Sequence, residues 1–223
     1  MFSNNTKAFF IPGFGDYVQD GKSISGVWEN AQNSFELGEL NFVQLHQTSD
    51  DYYVILDIDS QADVLSRELS QYTKYSLVCH SFGCLVLARL IEKYPDVLSC
   101  IKEVTLLAPA CNDKLFKKRN EDIRSGERRI VCGKDVYVYK SVATTDEFTM
   151  SIDNIDPLGL LKSLAINLDD RFSLIYDPLD EITNGVGGIG APDNRIVRMR
   201  GSGHRLDGLQ LSHIVTNLEI SQV

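Results

Sequence analysis

The chain has 223 residues, of which 43% are hydrophobic and 24% are charged, and its formal net charge is −9. This composition is typical of an ordinary globular protein, and the negative charge does not favour nucleic acid or an anionic membrane surface as a partner. No apolar run approaches the roughly 20 residues that a membrane-spanning helix needs.

The cysteines and the N-terminus bear on the cellular compartment. The chain has an odd number of cysteines, five, without the spacing of a disulfide framework. Residues 1–7 lack the basic and apolar regions of a signal peptide. We therefore expect a cytoplasmic protein with reduced thiols and no membrane span.

The first part of the chain alternates strand and helix patterns. Short apolar or alternating runs predict strands, and apolar residues spaced three and four apart predict helices. These patterns give strands at 7–11 and 41–46, helices at 28–37 and 61–72, and a stretch at 51–57 that fits either a strand or a buried segment. Asp59 or Ser60 is expected to cap the helix at 61–72.

Residues 75–93 predict a strand, a sharp turn and a helix in immediate succession. The apolar run at 75–79 leads into Ser81, and apolar residues at helical spacing follow at once. Small residues, Cys79 and Gly83, stand two positions before and after the serine, as a tight turn requires. Such a turn strains the backbone of Ser81 and presents its hydroxyl at a helix N-terminus, which is the context of a serine nucleophile.

The second part of the chain returns to strands after an irregular stretch. The patterns predict strands at 103–108, 171–176 and 195–200, a basic helix at 114–119, an extended arm at 136–139, helical spacing at 149–164, and a closing helix with Leu206, Leu209, Leu211 and Ile214. Alternating strands and helices predict an α/β fold with a mostly parallel central sheet, covered by helices on both faces. Functional sites in such folds lie at the carboxyl ends of the strands.

Several of these segments together resemble the α/β-hydrolase family. Residues 79–83 (CHSFG) resemble its nucleophile elbow, with a cysteine in place of the usual first glycine. Residues 12–15 (PGFG) follow the first strand, where the family has its oxyanion turn, and Gly203-His204 resembles the family's glycine-histidine pair. The resemblance implies one α/β-hydrolase domain over residues 1–223, with a small lid insertion at 111–165.

The resemblance also implies a catalytic triad in the family's chain order. Ser81 is the expected nucleophile, His204 the expected base, and Asp180, after the strand at 171–176, the expected acid. Asp177 and Asp113 stay open as alternatives for the acid, because Asp177 occupies a position where the family usually has glycine.

Four further residues are expected around the serine. The resemblance implies that the backbone N–H groups of Phe14 and Phe82 are the oxyanion donors, and fixed donors of this kind stabilise charge that develops on the substrate. Gly13 and His80 are expected to line the substrate pocket, and the remaining histidines, His46 and His213, to be structural. No cluster has metal-ligand spacing, so neither a metal nor another cofactor is expected.

These residues predict a serine hydrolase that cleaves a small-molecule carboxylic ester or thioester through an acyl-enzyme. An acyltransferase on the same triad is one alternative. Another is a thioesterase for acyl groups on coenzyme A or an acyl carrier protein, because residues 113–130, which include Lys117, Lys118 and Arg124, hold seven basic side chains against four acidic ones. A non-catalytic ligand receptor on the same fold is the alternative from a different class.

Overall fold

The computed structural model describes residues 7–19, 22–34, 39–48, 52–139 and 142–207. The strands are β1 (Lys7–Ile11), β2 (Val18–Gln19), β3 (Lys22–Ser23), β4 (Leu40–Phe42), β5 (Gln47–Thr48), β6 (Tyr53–Ile55), β7 (Tyr75–His80), β8 (Ile101–Leu107), β9 (Glu127–Val131), β10 (Lys134–Tyr139), β11 (Val142–Thr145), β12 (Phe172–Tyr176) and β13 (Ile196–Arg198). The helices are α1 (Val27–Ser34), α2 (Ile58–Leu69), α3 (Gly83–Lys93), α4 (Asp113–Arg124), α5 (Asp146–Asp153) and α6 (Pro157–Leu168). Within these ranges, no helix has the length and apolar character needed to cross a membrane.

The main sheet has six strands in the order β13-β12-β8-β7-β1-β4, and each neighbouring pair is parallel. Parallel neighbours cannot be joined by tight hairpins, so the chain crosses over between them through helices and longer connections. Strand β7 lies inside the sheet and is buried along its whole length. The predicted α/β class with a mostly parallel sheet is confirmed.

Side chains of the main sheet alternate between two cores. Phe9 and Leu77 belong to the larger core, which includes the apolar faces of α2, α3 and α6. Phe10 and Val78, the next residues along the same strands, pack with residues of α1 in the second core. Successive side chains of a strand point to opposite faces, so strands buried on both faces are continuously apolar. Helices therefore cover both faces, as predicted.

Helix α2 and the segment that contains α5 and α6 differ from the predictions. Helix α2 is capped by Asp57, whose side chain accepts a hydrogen bond from the Ser60 N–H at 3.0 Å, so the expected cap at Asp59 or Ser60 was wrong. The helical pattern at 149–164 is divided between α5 and α6. Asp156 caps α6 and Pro157 is its first residue, a position where the missing N–H of proline costs nothing.

A second sheet contains the strands of the irregular stretch. Its order is β5-β6-β11-β10-β9, with β6 and β11 parallel and the other pairs antiparallel. The extended arm expected at 136–139 is therefore strand β10, paired on both sides. Helices α4 and α5 pack on each other, whereas α6 packs against α3. The assignment of residues 111–165 to a lid remains a prediction.

The last strand, β13, pairs with β12 along Leu174–Ile196, Ile175–Val197 and Tyr176–Arg198. Of the closing helix expected near the C-terminus, only Leu206 lies in the described part of the chain. It is buried in a turn with a φ of 53°. Leu209, Leu211, Ile214 and His213 lie outside the described residues.

Candidate active site

Ser81 sits on a sharp turn between β7 and α3. Its φ of 52° is in the left-handed region, which is costly for a residue with a side chain. The Ser81 N–H donates to the Leu107 carbonyl at 2.9 Å, and α3 begins two residues later, at Gly83. The strained turn that the sequence predicted at this serine is confirmed.

Two glycines allow the turn to pack as closely as it does. A Cβ on Gly83 would lie 2.5 Å from the carbonyl oxygens of Ile11 and Pro12, both backbone atoms. A Cβ on Gly13 would lie 3.0 Å from the Cβ of Ser81 and 3.0 Å from a ring nitrogen of His80. The end of β1 and the start of α3 therefore approach each other at a distance that only glycine permits.

Ser81, His204 and Asp180 form a chain of hydrogen bonds. His204 Nε2 lies 2.8 Å from Ser81 Oγ, and His204 Nδ1 lies 2.7 Å from Asp180 Oδ2. The Asp180 side chain is 6% exposed and the His204 side chain 24% exposed, so the imidazole is reachable while its carboxylate partner is shielded. In this arrangement an imidazole can take the hydroxyl proton while a carboxylate fixes its tautomer.

The two other candidate acids make different contacts. Asp177 accepts backbone hydrogen bonds from Leu179 at 2.9 Å and from Gly203 at 2.8 Å. Asp113 forms an ion pair with Lys117 at 2.7 Å on the surface of α4. Of the three carboxylates, Asp180 is the one whose oxygen reaches the ring of His204.

The expected oxyanion donors both line the cavity above Ser81. Phe82 follows the serine and precedes the first residue of α3, and Phe14 lies in the turn after β1. Among the described residues, neither backbone N–H has a hydrogen-bond acceptor. A donor with no partner in the folded protein is available to a substrate oxygen.

The cavity has a volume of about 340 Å³ and is mostly apolar. Its walls include four phenylalanine rings, with centroid distances of 5.5 Å between Phe14 and Phe148 and 6.0 Å between Phe82 and Phe116. Phe116 comes from α4 and Phe148 from α5. Both were missed by sequence reasoning, because an apolar position on an amphipathic helix does not reveal what it faces. Gly13 and His80 also line the cavity.

Asn120 and Asp16 are polar residues on the cavity wall outside the triad. Asn120, 1% exposed, donates through Nδ2 to the Thr149 carbonyl at 2.8 Å and to Asp153 at 2.6 Å. Its Oδ1 has no partner in the part of the chain that the structure describes. Asp16 accepts hydrogen bonds from the N–H and hydroxyl of Ser25, and burial raises the pKa of its carboxyl.

Basic residues around the cavity differ in their partners. Lys117 pairs with Asp113 at 2.7 Å and Arg124 with Asp153 at 2.6 Å, so two of the five basic side chains of α4 are matched by a carboxylate. Arg119 and Arg205 line the cavity, are exposed, and form no ion pair with the residues described. Arg119 instead lies over the ring of Tyr139, 5.9 Å from its centroid.

Two of the remaining histidines are buried. His80 is 4% exposed, and burial lowers its pKa to about 3; its Nε2 lies 3.1 Å from the His204 carbonyl oxygen. His46 is 7% exposed, and burial lowers its pKa to about 4. The imidazole that is hydrogen-bonded to Asp180 is that of His204. The described residues contain no group of three or more His, Cys, Asp or Glu side chains arranged to hold a metal ion.

Residues 41–136 match the profile of a family described as Serine hydrolase. A carboxylesterase of the thaumarchaeon Nitrososphaera gargenis superposes with a TM-score of 0.62 at 11% identity, over 98% of this chain and 91% of that one. Est1E from Butyrivibrio proteoclasticus gives 0.56 at 12% identity over 97% and 87%, and a bromoperoxidase from Bacillus anthracis gives 0.58 at 14% identity over 96% and 91%. No curated protein sequence matches the chain. The protein therefore has the α/β-hydrolase fold, as the resemblance of its sequence to that family predicted.

Proposed function

We propose that the protein is a serine hydrolase that cleaves a carboxylic ester or thioester. The observation that supports this most directly is the chain of hydrogen bonds from Ser81 through His204 to Asp180, at the wall of an apolar cavity. The match to a serine hydrolase family over residues 41–136 favours the same class of reaction.

Acylation begins when Ser81 Oγ attacks the carbonyl carbon of the substrate. The hydroxyl proton passes to His204 Nε2, and Asp180 stabilises the imidazolium through Nδ1–H. The negative charge on the carbonyl oxygen is stabilised by the backbone N–H groups of Phe14 and Phe82. The bond to the leaving oxygen or sulfur then breaks, and His204 returns the proton to the leaving group.

Deacylation repeats these steps with water as the nucleophile. Water gives a proton to His204 Nε2 while its oxygen bonds to the acyl carbon. The bond from that carbon to Ser81 Oγ then breaks, and the serine recovers its proton from His204. Acyl transfer differs only in that an alcohol replaces this water, so the same residues serve both reactions.

The cavity favours an apolar acyl group of modest size. Its volume of about 340 Å³ is bounded by phenylalanine rings from the elbow side and from α4 and α5. An acyl chain or ring placed there exchanges water for apolar contacts, worth roughly 25 cal/mol per Å² buried. Residues 111–165 would then act as the lid whose side chains set chain-length preference.

A substrate with an anionic group is the second candidate, favoured by Arg119 and Arg205. Both line the cavity without an ion-pair partner among the described residues, whereas Lys117 and Arg124 are paired. Two exposed arginines on the cavity wall would bind a carboxylate or phosphate, as found on coenzyme A or on a carrier-linked acyl group. Arg119→Gln and Arg205→Gln would then raise KM for an anionic ester but not for its neutral methyl ester.

The first test is labelling of the purified protein with a fluorophosphonate, followed by mapping of the modified peptide. We expect stoichiometric label on Ser81, lost in Ser81→Ala and strongly slowed in His204→Ala. Ser99→Ala, which removes an exposed hydroxyl, should label normally. A folded protein without label on Ser81 would overturn the proposal.

Turnover separates the enzyme from a ligand receptor on the same fold. A hydrolase should release many equivalents of 4-nitrophenol from short-chain 4-nitrophenyl esters, and Ser81→Ala should lower the rate by about 10³-fold or more. A receptor would release at most one equivalent per protein molecule. Label on Ser81 combined with a single turnover would favour the receptor.

A further inference from the structure

The main chain around His204 is bonded to protein groups on both sides of the imidazole. The N–H of Gly203 donates to Asp177 Oδ2 at 2.8 Å. The carbonyl oxygen of His204 lies 3.1 Å from His80 Nε2. Asp177 belongs to the turn after β12, and His80 is the last residue of β7, so two strand ends are joined to this loop.

The Asp177 carboxylate is 2% exposed and uses both of its oxygens. Oδ1 accepts from the Leu179 N–H at 2.9 Å while Oδ2 accepts from Gly203. Burial acts to raise the pKa of Asp177, but backbone N–H donors from Leu179 and Gly203 outweigh it and lower the pKa below the usual value. The backbone carbonyl of Asp177 also accepts from the N–H of Asp180 at 3.1 Å. Asp177 therefore connects the turn that carries Asp180 to the loop that carries His204.

His80 reaches the same loop from the nucleophile side. The His204 carbonyl can only accept, so His80 Nε2 carries the proton in this hydrogen bond and the ring is neutral at physiological pH. Its centroid lies 5.1 Å from that of the His204 ring. Because His80 adjoins Ser81 in the chain, this contact sets the position of the base relative to the nucleophile.

The loop has a particular need for such contacts. Gly201 and Gly203 adopt φ values of 80° and 65°, and glycine is the residue with the most backbone freedom to lose. Ser202 N–H and Oγ both donate to the Met199 carbonyl, at 3.3 and 2.7 Å, and the Met199 N–H donates to the Tyr176 carbonyl at 2.9 Å, so the start of the turn is joined to the end of β12. The contacts from Asp177 and His80 connect the residues that follow, Gly203 and His204, to the ends of β12 and β7.

We propose that Asp177 and His80 are positioning residues, which hold the main chain of His204 so that its ring spans Ser81 and Asp180. The inference rests on the proposed hydrolase function. It assigns a role to Asp177 other than that of triad acid, and to His80 a role beyond lining the pocket. A displacement of about 1 Å in a reacting group can cost about 10²-fold in rate, so loss of either contact should lower kcat.

The test compares truncations with variants that restore the hydrogen bond. Asp177→Ala and His80→Ala should lower kcat for a 4-nitrophenyl ester by about 10- to 100-fold, with KM changed less than about twofold. Asp177→Asn keeps one of the two acceptor oxygens, which can accept from the Gly203 N–H, and His80→Gln keeps a donor nitrogen, so each should recover at least about fivefold of the loss. Asp193→Ala, at an exposed loop carboxylate, is the control and should match the parent.

Active-site titration with the fluorophosphonate separates positioning from folding. If the two residues only support the fold, the truncated proteins will contain fewer labelled sites, but kcat per labelled site will equal that of the parent. That result overturns the inference, as does equal kcat for the alanine and conservative variants. A parent protein that neither labels nor turns over would instead refute the proposed function.

Discussion

Two regions meet across Ser81 and differ in how their positions are determined. One is the elbow, residues 75–84 together with the turn at 12–15; the other is the cover, helices α4 and α5. In the elbow, backbone atoms set the geometry, through the φ of 52° at Ser81 and the glycine contacts at Gly13 and Gly83. In the cover, side chains such as Phe116 and Phe148 make the contacts with the cavity.

This difference indicates which property each region controls. A change in the elbow moves the nucleophile and the oxyanion donors together, so it should alter kcat. A change in the cover leaves the reacting groups in place and alters only what fits beside them, so it should alter KM and acyl preference. The predictions that follow test this division, from the largest expected effect to the smallest.

Substitution of Gly83 by alanine should have the largest effect. The new Cβ would lie 2.5 Å from two backbone oxygens, which cannot turn away as a flexible side chain could. We expect a loss of about 2–4 kcal/mol in the free energy of unfolding and at least about 100-fold in kcat/KM. Urea unfolding and ester hydrolysis measure the two quantities.

Gly188 provides the matched control for that substitution. A Cβ at Gly188 would meet nothing within 4 Å, and its φ is not positive. Gly188→Ala should therefore keep the stability and activity of the parent. If Gly83→Ala behaved like Gly188→Ala, backbone contacts would not determine the geometry of the elbow. The proposed difference between the elbow and the cover would then be wrong.

Lowering the pH should decrease the free energy of unfolding through His80, which is part of the elbow. Its pKa is about 3 in the folded protein and 6.5 in the unfolded chain, so only the unfolded state binds a proton between these values. Stability from this group is therefore complete above pH 6.5 and falls as the pH decreases toward 3. Linkage gives a loss of about 2 kcal/mol at pH 5 relative to pH 8.

The His80→Gln variant isolates this contribution. Urea unfolding of the parent and the variant at pH 8 and pH 5 gives four free energies, and the parent should lose about 2 kcal/mol more than the variant. The parent should likewise lose about 2 kcal/mol more than His46→Gln, because burial lowers the pKa of His46 to about 4. An identical pH dependence in parent and His80→Gln would show that His80 is accessible to protons in the folded protein.

The same contrast explains what could be predicted from the sequence. Ser81, Gly83 and Cys79 are specified within five consecutive residues, because a tight turn restricts each position locally. His204 could be placed by its neighbour Gly203 and by its position after the last strand. The role of Asp177 was harder to predict, because a carboxylate three residues before Asp180 is also a candidate for the triad acid. The structure shows that its oxygens instead accept hydrogen bonds from two backbone N–H groups.

The cover depends on contacts that no local pattern encodes. The residues at 136–139 predict an extended arm, yet their sheet is completed through β11 by β6, some 80 residues earlier in the chain. Likewise, the spacing of Phe116 and Phe148 predicts helix faces but not the cavity that they share. The part of the site that the sequence did not predict therefore depends on contacts between residues that are far apart in the chain.

Within the cover, Phe116→Ala should change substrate preference with little effect on chemistry. Removing the ring deletes apolar contact area from the cavity wall, worth about 1–2 kcal/mol for an acyl group that fills the space. KM for the longest acyl ester accepted should rise about 5- to 30-fold, whereas kcat changes less than about twofold. Steady-state kinetics over a series of 4-nitrophenyl esters provides the measurement.

Ile166→Ala is the control for that series, because its side chain lies on α6 and is 80% exposed. It should leave the profile of KM against chain length unchanged. A fall in kcat for Phe116→Ala with every ester would mean that the cover also positions the reacting groups. The division between the two regions would then have to be abandoned.

Lys117→Gln should have the smallest effect. Its ion pair with Asp113 joins two side chains that are 56% and 47% exposed, and such pairs contribute little to stability because water screens them. A double-mutant cycle with Asp113→Asn should give no coupling beyond experimental error, and KM for neutral esters should be unchanged. If KM for a carrier-linked acyl group rose while KM for neutral esters did not, the outer face of α4 would be a docking surface. The cover would then select its substrates by charge as well as by shape.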